Sequence, residues 1–142
     1  MYREVIHMAL TDAAYIAGLI DGEGTVTLSR RHRNENRHLV VSISNTELPL
    51  LDYVLHTVGA GKITGKRTSQ SHHTPSYTYA IYNRQAIALL EQTYPYLKTY
   101  KAKRAEIILR NYVRLTPRNG RYTAEVKRAR DEFENRVLNI KS

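Results

Sequence analysis

Ile16-Ala17-Gly18-Leu19-Ile20-Asp21-Gly22-Glu23-Gly24 is the stretch on which the reading of this chain turns. From Ala13 to Ile20 every residue is apolar or small, and Thr11 and Asp12 ahead of it are suited to cap a helix. A helix that is apolar all round has to be covered all round. In a small domain one face can meet the chain's own core and the other needs a second partner, which the small Ala13, Ala14, Ala17 and Gly18 let come close. Asp21 and Glu23 set two acids at the end of this helix, among glycines. On spacing alone they describe a solvated helix end before a tight turn; the helix ahead and the strands behind shift the balance towards a rigid post for a metal ion.

After Gly24 the period changes to two. Val26 and Leu28 alternate with Thr25, Thr27, Ser29 and Arg31, and Leu39, Val41 and Ile43 alternate with His38, Val40, Ser42 and Ser44, with a turn at 34–36. This is a half-buried hairpin. Thr46 is placed to cap a following helix in which Leu51, Val54, Leu55 and Val58 share a face, with Pro49 in its first turn and Gly59 at its end. A second hairpin is expected from Lys62 to Ser69 and from Tyr77 to Tyr82, then a helix from Arg84 to about Tyr94 capped by Asn83 and stopped near Pro95. Ala105, Ile108, Leu109, Tyr112 and Val113 mark a long amphipathic helix from Lys101 to Leu115, and Val126, Ala129, Phe133 and Val137 mark a last one whose other face is charged. The fold class is α+β: an αββαββα core at about 11–115 with an antiparallel four-stranded sheet, and a C-terminal helical extension at about 123–138, in a single domain over 1–142.

Charge narrows the partners. Twenty-two Lys and Arg oppose 13 Asp and Glu, a formal charge of +9 over 142 residues, which favours an acidic polymer. Without cysteine there is no disulfide, thiolate metal site or cysteine nucleophile. No apolar run reaches the ~20 residues that span a bilayer, and the first ten residues lack the layout of a secretory signal, so a soluble, intracellular protein without a membrane partner is expected. His72 and His73 read as loop residues, and the 11 tyrosines mostly as core.

The stretch from Ile16 to Gly24 resembles the signature of the LAGLIDADG homing endonucleases: six of its nine positions are identical, Ile16 is a conservative departure, and Glu23 keeps the acid. The order of elements from about Thr11 to Leu115 follows the same family, and Pro95-Tyr96-Leu97-Lys98 with the lysines after it resembles its second conserved region. The resemblance implies site-specific double-strand cleavage of DNA in intron homing, with Mg²⁺ as the working ion (Mn²⁺ or Ca²⁺ able to occupy the site) and short 3′ overhangs. It makes Glu23 the metal ligand, with the Gly22 carbonyl as a second donor, and leaves Asp21 a structural role at the helix end. It places Asn45 where a polar residue holds active-site water. A basic residue near the scissile phosphate is Lys101 when matched back from Ala105 and Lys98 when matched forward from Pro95, with Lys103 in the same cluster.

If the apolar strand residues pack on the helices, the opposite face presents Thr27, Ser29, Arg31, Arg33, His38, Val40 and Ser42, extended by Thr64, Lys66 and Thr68 of the second hairpin. A two-stranded ribbon of such side chains fits the major groove of double-stranded DNA. The motif occurs once, so cutting both strands implies a homodimer on a near-palindromic target, with Ala13, Ile16, Ala17 and Ile20 packed across a two-fold axis. The alternatives on the same fold are a group I intron RNA maturase, which adds intron RNA as a partner, and a DNA-binding regulator that does not cleave.

Overall fold

The computed structural model describes residues 3–66 and 74–142. Thr68, His72 and His73 lie outside the described residues. The chain runs α1 (Leu10–Glu23), β1 (Gly24–Ser29), β2 (His38–Asn45), α2 (Leu48–Val58), β3 (Lys62–Lys66), β4 (Ser76–Tyr82), α3 (Asn83–Thr93), a 3₁₀ turn (Tyr94–Tyr96), α4 (Tyr100–Asn111) and α5 (Ala124–Asn139). The four strands form one antiparallel sheet in the order β1-β2-β4-β3.

Alternation decides which side of the sheet is covered. Val26, Leu28, Leu39, Val41, Ile43, Tyr79 and Ile81 are all buried, share one parity in the strand register, and meet the helices there. Burying each large aliphatic side chain in that layer contributes about 1.5–3 kcal/mol relative to leaving it in water. Ala13, Ile16, Ala17 and Ile20 of α1 belong to the same core, none more than 2% exposed.

Those four residues therefore cannot form an interface with a second copy. They fall at successive turns on one side of α1 and are consumed by the protomer's own core. The other side carries Ala14, Tyr15, Gly18, Leu19 and Gly22, with Tyr15 54% exposed and Leu10 just ahead of it 71% exposed. The helix is apolar all round, as its sequence says, but the side that the core leaves uncovered is the opposite one.

Three residues expected to cap helices do not do so. The N-cap of α1 is Ala9, without a side-chain bond, because the Asp12 carboxylate accepts from the Tyr53 hydroxyl at 2.7 Å. The N-cap of α2 is Glu47 rather than Thr46. Asn83 is the first residue of α3, at φ 54°, and its side chain accepts from the Tyr112 hydroxyl, which in turn accepts from Leu39 N–H. Gly59, at φ 81°, ends α2 in the left-handed region as its place in the sequence predicts. Helix α4 stops at Asn111, four residues short of expectation; Leu115 is still buried but Val113 is 44% exposed.

The edge strand β1 is covered by α4 and α5. Arg104 of α4 donates to the Val26 carbonyl on that strand at 2.9 Å and to the Ile140 carbonyl at 2.8 Å, so a buried guanidinium ties the strand to the end of α5. Such cover removes a row of backbone groups from which another chain could extend the sheet. Among the described residues no buried side-chain nitrogen or oxygen lacks a hydrogen-bond partner, and no helix is long and apolar enough to cross a membrane.

Candidate active site and nucleic-acid interface

Glu23 is the last residue of α1 and Gly24 the first of β1. The passage from helix to strand is tight because α1 ends against the central strand β2. A Cβ on Gly24 would stand 2.7 Å from Ile20 Cα, 2.9 Å from Ile20 O and 2.9 Å from Ser42 O, all backbone atoms. At φ −107° the backbone is open to any residue, so glycine is required here by space alone. Gly18 and Gly22 are different, for nothing lies within 4 Å of a Cβ built on either.

The Glu23 side chain is exposed and accepts from Asn45 Nδ2 at 2.5 Å. Asn45, at the end of β2, is itself fixed, since its Oδ1 accepts from Glu47 N–H at 2.7 Å. The amide thereby has one orientation, and the carboxylate it holds has one oxygen engaged and the other turned to solvent.

Asp21 belongs to a different device. Its carboxylate accepts from Lys98 N–H at 2.8 Å, Thr99 N–H at 3.1 Å and the Thr99 hydroxyl at 2.6 Å, so it anchors the residues that lead into α4, whose own N-cap is Thr99. Partial burial opposes ionisation, but the Thr99 hydroxyl, the two amides and the Lys101 charge outweigh it and hold the carboxyl below its ordinary range. The Lys101 ammonium, buried, donates in return to the carbonyls of Ile20 at 2.8 Å and Asp21 at 2.9 Å. Those carbonyls end α1, where a cation is favoured. Burial lowers the Lys101 pKa against the raising effect of Asp21. The Lys98 side chain is exposed at the same corner, and Lys103 is exposed on α4.

Among the described residues no three His, Cys, Asp or Glu side chains come together, so this corner is not an all-protein metal cage. Its donors, one free carboxylate oxygen on Glu23 and the neighbouring Gly22 carbonyl, fit a hard ion that keeps several waters and takes phosphate oxygens from a substrate, as Mg²⁺ does.

The helix-free face of the sheet starts from this corner. Thr27, Ser29, His38, Val40, Ser42 and Thr64 all have its parity and are exposed or half-buried, and Lys66 has it by register. Arg31 and Arg33 do not lie in β1, which ends at Ser29; they are exposed in the turn beyond it. The register adds side chains that the sequence reading passed over. Val40 pairs with Tyr82, Ser42 with Ala80 and Ser44 with Thr78, while Lys62 pairs with Ala80. Lys62 stands 6.0 Å from the Tyr82 ring, whose centre is 5.8 Å from that of His38. Lys62 was findable, for it shares parity with Thr64 and Lys66. Tyr82 was not, because Ser76–Tyr82 has aromatic or apolar residues on both parities.

Comparison with known proteins agrees with this architecture. The family described as LAGLIDADG-like domain matches residues 11–94. No curated protein sequence matches the chain significantly. The fold is similar to that of the homing endonuclease I-CvuI in complex with its target in the presence of Ca, with a TM-score of 0.76 and 16% identity over 94% of this chain and 83% of that one. It is similar to the archaeal intron-encoded homing endonuclease I-Vdi141I complexed with DNA, with a TM-score of 0.70 and 16% identity over 93% and 85%. The LAGLIDADG meganuclease I-AabMI bound to uncleaved DNA gives 0.64 and 20% identity over 86% of this chain but 43% of that one. At these identities the likenesses establish the fold, and the sequence match covers more than half of the chain, including the acidic stretch at the end of α1. The chain belongs to the LAGLIDADG family.

Proposed function

We propose that the protein is a site-specific double-strand DNA endonuclease that acts as a homodimer on a long, near-palindromic target and leaves short 3′ overhangs. The observation that carries this reading is the placement of Glu23: an exposed carboxylate held by Asn45 at the rim of a polar sheet face that, among the described residues, no helix covers.

Two copies meet, on this reading, across Leu10, Ala14, Tyr15, Gly18, Leu19 and Gly22 of α1, the apolar side that the core leaves free. The open space at Gly18 and Gly22 lets two helix backbones approach and brings two Glu23 carboxylates towards one axis. I-AabMI, a chain more than twice the length matched here, is consistent with a unit that works in twos.

Glu23 and the Gly22 carbonyl would hold Mg²⁺ together with phosphate oxygens of the DNA. When bound, the ion supplies charge to the phosphoryl oxygens and lowers the pKa of a water that attacks phosphorus. The chain's own residues do the rest. Asn45 keeps the carboxylate in one rotamer, and the Lys101 ammonium fixes the last carbonyls of α1 so that the acid does not drift with the helix end. The exposed Lys98 ammonium stands at the same corner, available to offset charge that builds on the scissile phosphate. Thr27, Ser29, His38, Val40, Ser42 and Thr64 face the major groove, with Tyr82 and Lys62 among them, and Lys66 has the same parity by register.

The test is to incubate the protein and Mg²⁺ with a randomised near-palindromic duplex library and to sequence the ends produced. Cut ends with paired half-sites are expected, and Glu23→Gln should bind the recovered target but leave it whole. Binding without cut ends under any divalent metal would turn the reading into a regulator or an RNA maturase. Full cleavage by Glu23→Gln would remove Glu23 from the site.

A further inference from the structure

The end of the sheet farthest from Glu23 holds a buried charged junction that nothing in the cleavage reading uses. Arg130 of α5 is 1% exposed and Glu134, one turn on, 2%. The Arg130 guanidinium donates to the Glu134 carboxylate at 2.9 Å, to the Leu115 carbonyl at 2.9 Å, to the Thr116 hydroxyl at 2.5 Å and to the Arg37 carbonyl. It lies over the Tyr112 ring, 4.8 Å from its centre. Glu134 also takes Arg37 N–H and the Arg37 guanidinium, each at 3.1 Å. One guanidinium thus grips the roots of two separate loops, the 30–37 turn between β1 and β2 and the 112–123 segment between α4 and α5.

Both loops are basic. Arg30, Arg31 and Arg33 are exposed in the first, Arg114, Arg118 and Arg121 in the second, and the second has no acid between Glu106 and Glu125. The one acid of the first, Glu35, is exposed but engaged by the loop's own backbone, one oxygen accepting from Arg31 and His32 N–H at 2.7 and 3.1 Å. Lys127 at the start of α5 donates to Asn36, and Arg84 of α3 donates to the Thr116 carbonyl, so each loop is pinned a second time. Six exposed arginines on two pinned loops form a cationic edge, in which the Arg30 guanidinium donates to the Arg33 carbonyl and that of Arg114 to the Asn111 side chain. Guanidinium suits phosphate because its planar fork can donate two bonds at once.

We propose that these loops form a backbone clamp for duplex DNA at the outer end of each half-site, with Arg114, Arg118 and Arg121 gripping phosphate and Arg130 and Glu134 as positioning residues that hold the two loops as one edge. The proposal rests on the DNA-binding reading of the sheet. The strand β1 carries six residues between Glu23 and the first loop. At ~3.3 Å each that is roughly 20 Å, or about six base pairs, so the clamp falls outside the bases read by the strands. Its contacts add affinity without sequence preference.

The measurement is the salt dependence of binding to a long duplex of arbitrary sequence, without divalent metal. Each phosphate contact contributes about 0.9 to the slope of log K against log salt. Arg118→Gln/Arg121→Gln should lower the slope by nearly two per chain, on any sequence, with the thermal midpoint unchanged. On a recovered target the same variant should lose backbone protection at the outer ends only. In an Arg130→Lys background the two arginines should contribute less to the slope, because their loop is no longer tied to its neighbour. Lys62→Gln, on the sheet face, separates the two readings. If it lowers the slope while Arg118→Gln/Arg121→Gln does not, the clamp is refuted and the sheet stands. If the unaltered protein does not bind duplex DNA, both readings fall.

Discussion

Gly22 and Gly24 stand two residues apart, and adding one methyl group to each should change the protein in opposite directions. For Gly24→Ala the new Cβ arrives 2.7 Å from Ile20 Cα and 2.9 Å from two backbone oxygens. Carbon atoms at rest sit ~3.5–4.0 Å apart, so the overlap is close to 1 Å and none of the three neighbours is a side chain able to swing away. Relief requires the end of α1 to back off from β2. Overpacking of this kind costs about 1–3 kcal/mol, and three rigid contacts place this case at about 3. In urea that is a midpoint lower by roughly 1–3 M at the slopes usual for small proteins. Glu23 moves with the helix end, and on the proposed function a displacement near 1 Å in reacting groups costs about a hundredfold in rate. For Gly22→Ala nothing lies within 4 Å of the methyl, and a helical residue loses the entropy penalty of glycine, a gain of up to about 1 kcal/mol. Urea unfolding of both variants at low protein concentration, where the protomer's own stability is read, checks the pair. A Gly24→Ala protein within about 0.5 kcal/mol of the parent would refute the close-approach argument.

Gly18→Leu should leave the protomer's unfolding midpoint near that of the parent while abolishing the proposed dimer in sedimentation, since nothing lies within 4 Å of a Cβ at that position. A variant that still sedimented as a dimer would move the interface elsewhere. Glu134→Ala leaves the Arg37 and Arg130 charges without their shared carboxylate in a nearly closed site, and should cost about 3–5 kcal/mol in urea unfolding. Tyr53 is raised from 10.0 to about 12, by burial first and then by its hydrogen bond to Asp12. Its folded pKa exceeds the unfolded one, so its share of stability is complete below pH 10 and is lost as pH climbs towards 12. The parent should therefore lose stability faster than Tyr53→Phe over that interval, and parallel pH curves would rule this out.

Periodicity carried most of the architecture from sequence to structure. Val26 and Leu28 against Thr27 and Ser29 gave the covered and open faces of β1 correctly, as Leu39, Val41 and Ile43 did for β2, and Gly59 marked the end of α2 to the residue. Glu23 and Asn45, assigned by resemblance, are brought into direct contact. What periodicity missed has a common cause: it counts apolar residues and cannot see who else competes for a polar one. Asp12 and Asn83 read as caps because their local neighbours allow it, yet Tyr53 and Tyr112, distant in sequence, take them. Arg130 and Glu134 fall beside Phe133 and Val137 on α5 and read as part of a solvated charged face, although they are among the most buried residues of the protein. In α1 the absence of any polar stripe hid which side faces inward; only the position of the sheet decides it.

The strict parity of β2 has a consequence for how such a protein changes over generations. Val41 and Ile43 are buried completely, while Val40 and Ser42, which alternate with them, lie on the open face. Adjacent codons thus specify unrelated properties, one holding the fold and the next, on the proposed function, meeting the target. Substitutions at the open positions are separated from the core by the sheet itself and should combine with nearly additive effects on folding. On the proposed function, a lineage could therefore wander from one recognition sequence to another through intermediates that all fold, with the corner at Glu23 carried along unaltered.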